Sequence, residues 1–229
     1  MQQFLFDGSA LTRSARSSKI AAMNSQEVEQ ILMESGALLE GHFLLSSGRH
    51  SNRYIEKFRV LEQPRLASRL CGEIARRFNE RDIECVVGPV TGGIILAFDI
   101  ARHLGCRAVY AERSDDGNGF TFRRGFQLRQ GERVLVVEDI VTTGGSAQKV
   151  VDVVRAHGGE VVGVGLLCDR SGGKADFGAP IVESLLKLNI ESYAPDEVPA
   201  WISEKYGAAI KPGSTSVPAK NLAATPASV

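Results

Sequence analysis

From residue 83 onward, two hydrophobic rhythms take turns along the chain. Short apolar runs (Ile83–Gly88, Arg107–Glu112, Val134–Val137 and Val161–Cys168) predict strands, and the unbroken Val134–Val137 run predicts one buried on both faces. Between them, apolar residues recur at helical spacing over Ile94–Leu104, ended by Gly105, and over Ser146–His157, closed by Gly158 and Gly159. Upstream, Asn24 with Glu27 reads as a capping box for a helix burying Val28, Ile31 and Leu32 and ending at Gly36. A second helix starts near Pro64, with Leu66, Leu70, Ile74 and Phe78 on one stripe. Ser184–Ile190 predicts an edge strand, followed by a short helix holding Trp201 and Ile202. This alternation predicts an α/β fold, a doubly wound and mostly parallel sheet.

The pattern weakens at both ends. Residues 1–22 carry Arg13, Arg16 and Lys19 with a single acid, Asp7, and show no helical stripe. A transit peptide has that composition, and so does a disordered extension or a start upstream of a true first residue at Met23. The domain is expected over 24–206, with 1–23 a disordered extension and 207–229, rich in Ala, Pro, Ser and Thr, a disordered tail.

Composition narrows the classes. Lys and Arg number 27 against 27 Asp and Glu, so no global field invites nucleic acid or an acidic membrane. Cys71, Cys85, Cys106 and Cys168 lack metal-ligand or CxxC spacing and predict reduced buried thiols in a cytoplasmic protein. No apolar run approaches the ~20 residues of a membrane span. His42, His50, His103 and His157 show no ligand spacing and are expected to pack or to face solvent.

Chemistry concentrates in residues 134–146, Val-Leu-Val-Val-Glu-Asp-Ile-Val-Thr-Thr-Gly-Gly-Ser. A buried strand delivers Glu138 and Asp139 to its carboxyl end, and a turn of hydroxyls and glycines opens into a helix. The helix start offers unpaired N–H groups and the positive end of the dipole, which together hold a phosphate. Thr142, Thr143 and Ser146 add hydroxyls, and Gly144 and Gly145 allow close approach. Carboxylates beside a phosphate would repel it unless they face sugar hydroxyls or a Mg²⁺ that bridges to the phosphates. The segment reads as one compact site for a phosphorylated sugar.

These residues resemble the 5-phosphoribosyl 1-diphosphate (PRPP) motif of the type I phosphoribosyltransferases, which implies PRPP binding by Glu138, Asp139, Ile140, Val141, Thr142, Thr143, Gly144, Gly145 and Ser146. Gly88-Pro89-Val90-Thr91-Gly92-Gly93 is similar to the family's pyrophosphate loop, although some relatives carry Lys at the position of Gly92. Residues 35–55, containing Leu-Leu-Ser-Ser-Gly-Arg-His-Ser, resemble the hood segment of orotate phosphoribosyltransferases, and Asp169-Arg170 resembles their Asp-Arg pair. The resemblance implies orotate contacts from Tyr54, Arg170 and Thr142. It also implies a mobile loop after Glu112 that begins at Arg113, a further PRPP contact. The family's loop lysine is absent, since residues 113–131 contain no Lys. Arg123 or Arg124 is therefore expected to join Arg113 and Asp139 as catalytic groups.

The implied reaction converts orotate and PRPP to orotidine 5′-monophosphate and diphosphate in pyrimidine (UMP) biosynthesis. Mg²⁺ would be held mainly through PRPP, without a dedicated protein ligand. The same resemblance implies a hood built from the N- and C-terminal parts and a homodimer sharing the loop. Without a second domain for decarboxylation, a single-function enzyme is expected. Two competing readings are a purine or xanthine phosphoribosyltransferase and a PRPP-sensing regulator that binds RNA.

Overall fold

The computed structural model describes residues 22–212; the expectations for residues 1–21 and 213–229 lie outside that range. Helix α1 (Ser25–Glu34) starts with the expected capping box, in which the Glu27 N–H donates to Asn24 Oδ1 at 3.0 Å and the Asn24 N–H to Glu27 Oε2 at 2.8 Å. A hairpin of β1 (Leu38–Leu44) and β2 (His50–Ile55) comes next, then the short α2 (Phe58–Leu61) and α3 (Pro64–Arg77). The α/β alternation runs through β3 (Cys85–Pro89), α4 (Gly92–Leu104), β4 (Arg107–Arg113), β5 (Phe120–Thr121), β6 (Arg133–Val141), α5 (Gly145–Ala156), β7 (Glu160–Asp169) and β8 (Val182–Lys187). It closes with α6 (Ala200–Tyr206).

The main sheet has the order β5-β4-β3-β6-β7-β8. All its pairings are parallel except the short β4–β5 ladder. Its two faces hold separate cores. Leu135 and Val137 of β6 pack under α3 and α4 with Leu70, Ile74, Phe78, Leu96 and Ile100. Val134 and Val136 face the other way, onto Val150, Val151 and Val154 of α5 and onto Phe177. The apolar run is therefore buried on both sides, as a parallel strand between helical layers must be.

Two expectations need correction. Strand β6 continues past Val137 to Val141, because its ladder with β7 persists through Glu138↔Leu166 and Ile140↔Cys168. The acidic pair thus lies within the strand rather than beyond it. Residues 207–212, expected to begin a tail, run beside β1: Leu44 N–H donates to the Ile210 carbonyl and Ile210 N–H to that of His42, each at 2.8 Å. His42 Nδ1 adds a 2.9 Å bond to the Gly207 carbonyl, and its Nε2 lies 2.7 Å from His50 Nδ1. On the other edge, His50 and Tyr193 exchange two backbone bonds of 2.8 Å. These ties assemble the hood from N- and C-terminal segments.

Candidate functional site

Strand β3 leads through α4 to β4 on one side, and β6 leads through α5 to β7 on the other. The connections diverge between β3 and β6, which opens a crevice at their carboxyl ends. Residues 88–93 form one lip and residues 138–146 the other.

On the second lip, Gly144 takes a left-handed backbone (φ 84°) at the N-cap of α5, where no side chain caps the helix. A Cβ there would stand 3.0 Å from the Phe177 ring as well as strain the backbone, so glycine is required. The first intrahelical bond runs from Gln148 N–H to the Gly144 carbonyl at 2.9 Å. The N–H groups of Gly145, Ser146 and Ala147 thus begin the helix without intrahelical acceptors. Thr142, Thr143 and Ser146 are exposed around them. Ile140 and Val141 contribute differently: the Val141 side chain is core, the Ile140 N–H donates to Asp139 Oδ1 at 2.7 Å, and the Val141 carbonyl accepts from Arg170 N–H at 2.7 Å.

The acids beside this cradle are buried, Asp139 to 2% exposure. Burial pushes the Glu138 carboxyl up to about 7, and the Asp139 charge adds to the effect, while the Asp139 N–H and Lys57 oppose it. Asp139 itself is paired with Lys57, whose Nζ donates to Oδ1 at 2.8 Å and lies 2.7 Å from Oδ2. Oδ2 has the charge contact without an aligned hydrogen bond. It also lies 2.1 Å from where a Cβ on Gly92 would stand, so the carboxylate occupies the space that a side chain at 92 would need. The sequence reading missed Lys57. One signal was available, since it is the only lysine between residues 20 and 148, a stretch otherwise served by arginine.

Arg170 follows β7. Burial lowers its pKa from the usual guanidinium value, and neighbouring Cys168 and Tyr54 act the other way. Its Nε is buried without a partner. Asp169 takes the Ser171 N–H at 2.7 Å, and no ion pair joins it to Arg170. Tyr54 of β2 lies within electrostatic reach of Arg170 and packs at a tilt on Phe43, with ring centroids 5.6 Å apart. Burial, followed by the Glu56 charge, raises its phenol, while Arg170 lowers it. Tyr54 thus lies within electrostatic reach of Arg170, whose main chain is bonded to Val141 at the start of the 142–146 turn.

The loop after β4 holds its cations differently. Arg113 lies over the Phe120 ring at 5.4 Å. Arg123 pairs with Asp115 at 2.6 Å and Arg124 with Glu112 at 2.9 Å. In this state neither Arg123 nor Arg124 is bonded to the crevice residues, and each would have to leave its acid to reach a ligand there.

Residues 59–195 match the phosphoribosyl transferase domain family. An orotate phosphoribosyltransferase of Desulforamulus reducens is 46% identical over 195 residues, 85% of this chain and 100% of that protein. One from Thermotoga maritima is 47% identical over 188 residues, 82% of this chain and 97% of that protein. Among solved structures, the orotate phosphoribosyltransferase of Aeropyrum pernix superposes with a TM-score of 0.60 at 28% identity, covering 79% of this chain and 98% of that one. The enzyme of the same name from Mycobacterium tuberculosis gives 0.58 at 29% identity, over 70% of this chain and 95% of that one.

Proposed function

The chain belongs to the orotate phosphoribosyltransferases of the phosphoribosyl transferase family, and from that membership we infer how its residues divide the reaction. N1 of orotate, having given its proton to solvent, bonds to the anomeric carbon of PRPP as the bond from that carbon to the diphosphate oxygen breaks. The products are orotidine 5′-monophosphate, a precursor of UMP, and diphosphate.

The 5′-phosphate lies on the free N–H groups at the start of α5, with the Thr142, Thr143 and Ser146 hydroxyls around it. Glu138 and Asp139 accept the ribose 2′- and 3′-hydroxyls, and this fixes the anomeric carbon against the orotate ring. Arg170 forks onto the carboxylate or a carbonyl of orotate, Tyr54 covers the ring and Thr142 reaches it from the cradle. Charge develops on diphosphate as it departs, and Arg113 with Arg123 or Arg124 offsets it once the loop closes. Closure also keeps water from the activated ribose.

The donor set suits Mg²⁺ entering with its substrate. Glu138 and Asp139 are hard oxygen donors, and among the described residues no group of three or more His, Cys, Asp or Glu could hold a metal alone. When bound, Mg²⁺ supplies positive charge to the diphosphate oxygens. Phe58 on α2 and Ile95 and Phe98 on α4 are exposed, Phe98 to 68%, and this apolar surface supports a homodimer. Burial pushes the Cys85 and Cys168 thiols up to about 12, which suits reduced cysteines in the cytoplasm.

The observation that carries the acceptor assignment is Arg170, a half-buried residue whose Nε is buried and unpartnered, within electrostatic reach of Tyr54 and bonded through its main chain to Val141. A flat anion completes that arrangement better than a neutral purine. The test follows orotate absorbance after PRPP and Mg²⁺ are added, with adenine, guanine and xanthine as alternative acceptors. Consumption of orotate alone is expected. Turnover of a purine in its place would overturn the assignment.

A further inference from the structure

Lys57 belongs to none of the segments assigned above, yet it reaches the centre of the crevice. It projects from the link between β2 and α2, and its Nζ lies 2.7–2.8 Å from both Asp139 oxygens. Its side chain keeps 32% exposure, so the carboxylate it holds is buried while the lysine itself stays accessible to solvent. Asp139 Oδ2 lies against Gly92, and the ammonium 2.7 Å from that oxygen is therefore beside the 88–93 lip. A ligand with its phosphate on α5 and its ribose hydroxyls on the acids therefore directs its anomeric substituent toward Lys57.

Charge points the same way. The loop after β4 has no lysine, and its Arg123 and Arg124 are held by Asp115 and Glu112. Gly92 contributes no cation, because its side-chain space is filled by Asp139. Lys57 is the one lysine that the described structure places against the acidic pair.

We propose that Lys57 binds the diphosphate of PRPP, exchanging its bond to Asp139 for phosphate oxygens when the ribose hydroxyls take Asp139. In the unliganded protein the pair keeps a buried carboxylate neutralised, since leaving it unpaired would be costly. In the complex, hydroxyl donors satisfy the carboxylate and free the ammonium. Its three N–H donors then face oxygens whose charge grows as the carbon–oxygen bond breaks. No proton transfer to the leaving group is required. The proposal rests on the PRPP reading of the crevice.

Titration calorimetry of the full chain with inorganic diphosphate in the presence of saturating ribose 5-phosphate, and separately with ribose 5-phosphate alone, tests it. Lys57→Gln is expected to weaken diphosphate binding about 10- to 100-fold, the range of a charge-assisted bond, and ribose 5-phosphate binding about 3-fold or less. Asp139→Asn should do the reverse: ribose 5-phosphate weakens, while diphosphate binds as well as in wild type or tighter, because Lys57 is released. A Lys57 that only positions Asp139 would make the two variants alike, and that result overturns the proposal. So does a wild type that binds diphosphate no tighter than Lys57→Gln. Should Lys57→Gln fail to fold with Asp139 unpaired, the Lys57→Gln/Asp139→Asn double variant removes both charges. Its loss of diphosphate affinity relative to Asp139→Asn alone then gives the answer. Orotate consumption by the wild type reports separately on the enzyme reading, so the two can fail independently.

Discussion

The Arg170 N–H donates to the Val141 carbonyl at 2.7 Å, joining the residue assigned to orotate to the strand that carries the acids assigned to ribose. The bond is main chain to main chain, so it survives any change of the Arg170 side chain. Arg170→Gln should therefore leave the donor side in place. KM for orotate is expected to rise about 10- to 100-fold with KM for PRPP within about 3-fold, since a charge-assisted pair is lost on one side only. Steady-state kinetics with each substrate varied in turn checks this, and equal rises in both constants would refute it.

Glu138 makes the site sensitive to pH. Its carboxyl titrates near 7 in the folded protein against 4.5 as the ordinary value, so the folded state holds the proton more tightly. The stability it contributes is complete below the lower value and is lost as pH rises through the upper one, by on the order of 3 kcal/mol. Glu138→Gln should thus gain thermal stability over wild type between about pH 5 and pH 8. Ribose 5-phosphate binding should respond to pH differently in the two proteins, since Glu138 and the ligand phosphate both titrate in wild type and only the phosphate does in the variant. Parallel melting curves and a calorimetric pH series measure both.

Arg123 and Arg124 make a prediction about the loop. Each is paired with an acid of its own hairpin, Arg124 with Glu112 and Arg123 with Asp115. At least one of Arg123→Gln and Arg124→Gln should lower kcat about 10-fold or more with the melting temperature nearly unchanged, because an exposed pair adds little to stability. Unchanged turnover in both variants removes these arginines from the mechanism.

Glu132 provides the structural counterpart. Fully buried, it accepts from Arg107 Nε at 2.8 Å and from the Arg129 N–H at 2.9 Å, pinning the far end of the same loop. Glu132→Ala leaves the Arg107 Nε and the Arg129 N–H without their acceptor and should cost about 1–3 kcal/mol, read by denaturant unfolding. The folded fraction should keep its KM values, since Glu132 lies at the amino end of β6, away from the crevice.

What the sequence revealed depended on how local each signal was. The run Val134–Val137 and the turn Thr142–Ser146 announce themselves within thirteen residues, because double-sided burial and helix-start chemistry are short-range properties. The capping box at Asn24 was legible for the same reason. The hood strands were not. A bulge between Glu40 and Phe43 breaks the alternation of β1, and β2 alternates poorly because polar Ser51 is buried by bonding to the Glu191 carbonyl. Ile210 looked like tail because its strand partner lies more than 160 residues earlier. Lys57 and Asp139 are 82 residues apart, and nothing in either neighbourhood names the other. Arg123 and Arg124 were visible as loop cations, but their attachment to Asp115 and Glu112 depends on how the hairpin closes.

The hood hairpin and the six-stranded sheet share no ladder. Tyr54 thus approaches the crevice on a separate small sheet, whereas the phosphate cradle is an outgrowth of the large one. Mutations that reshape β1 and β2 can alter which ring is covered without disturbing the strand that presents Glu138 and Asp139. The architecture is modular in that sense, and a lineage could exchange its acceptor base while inheriting its sugar-phosphate chemistry intact.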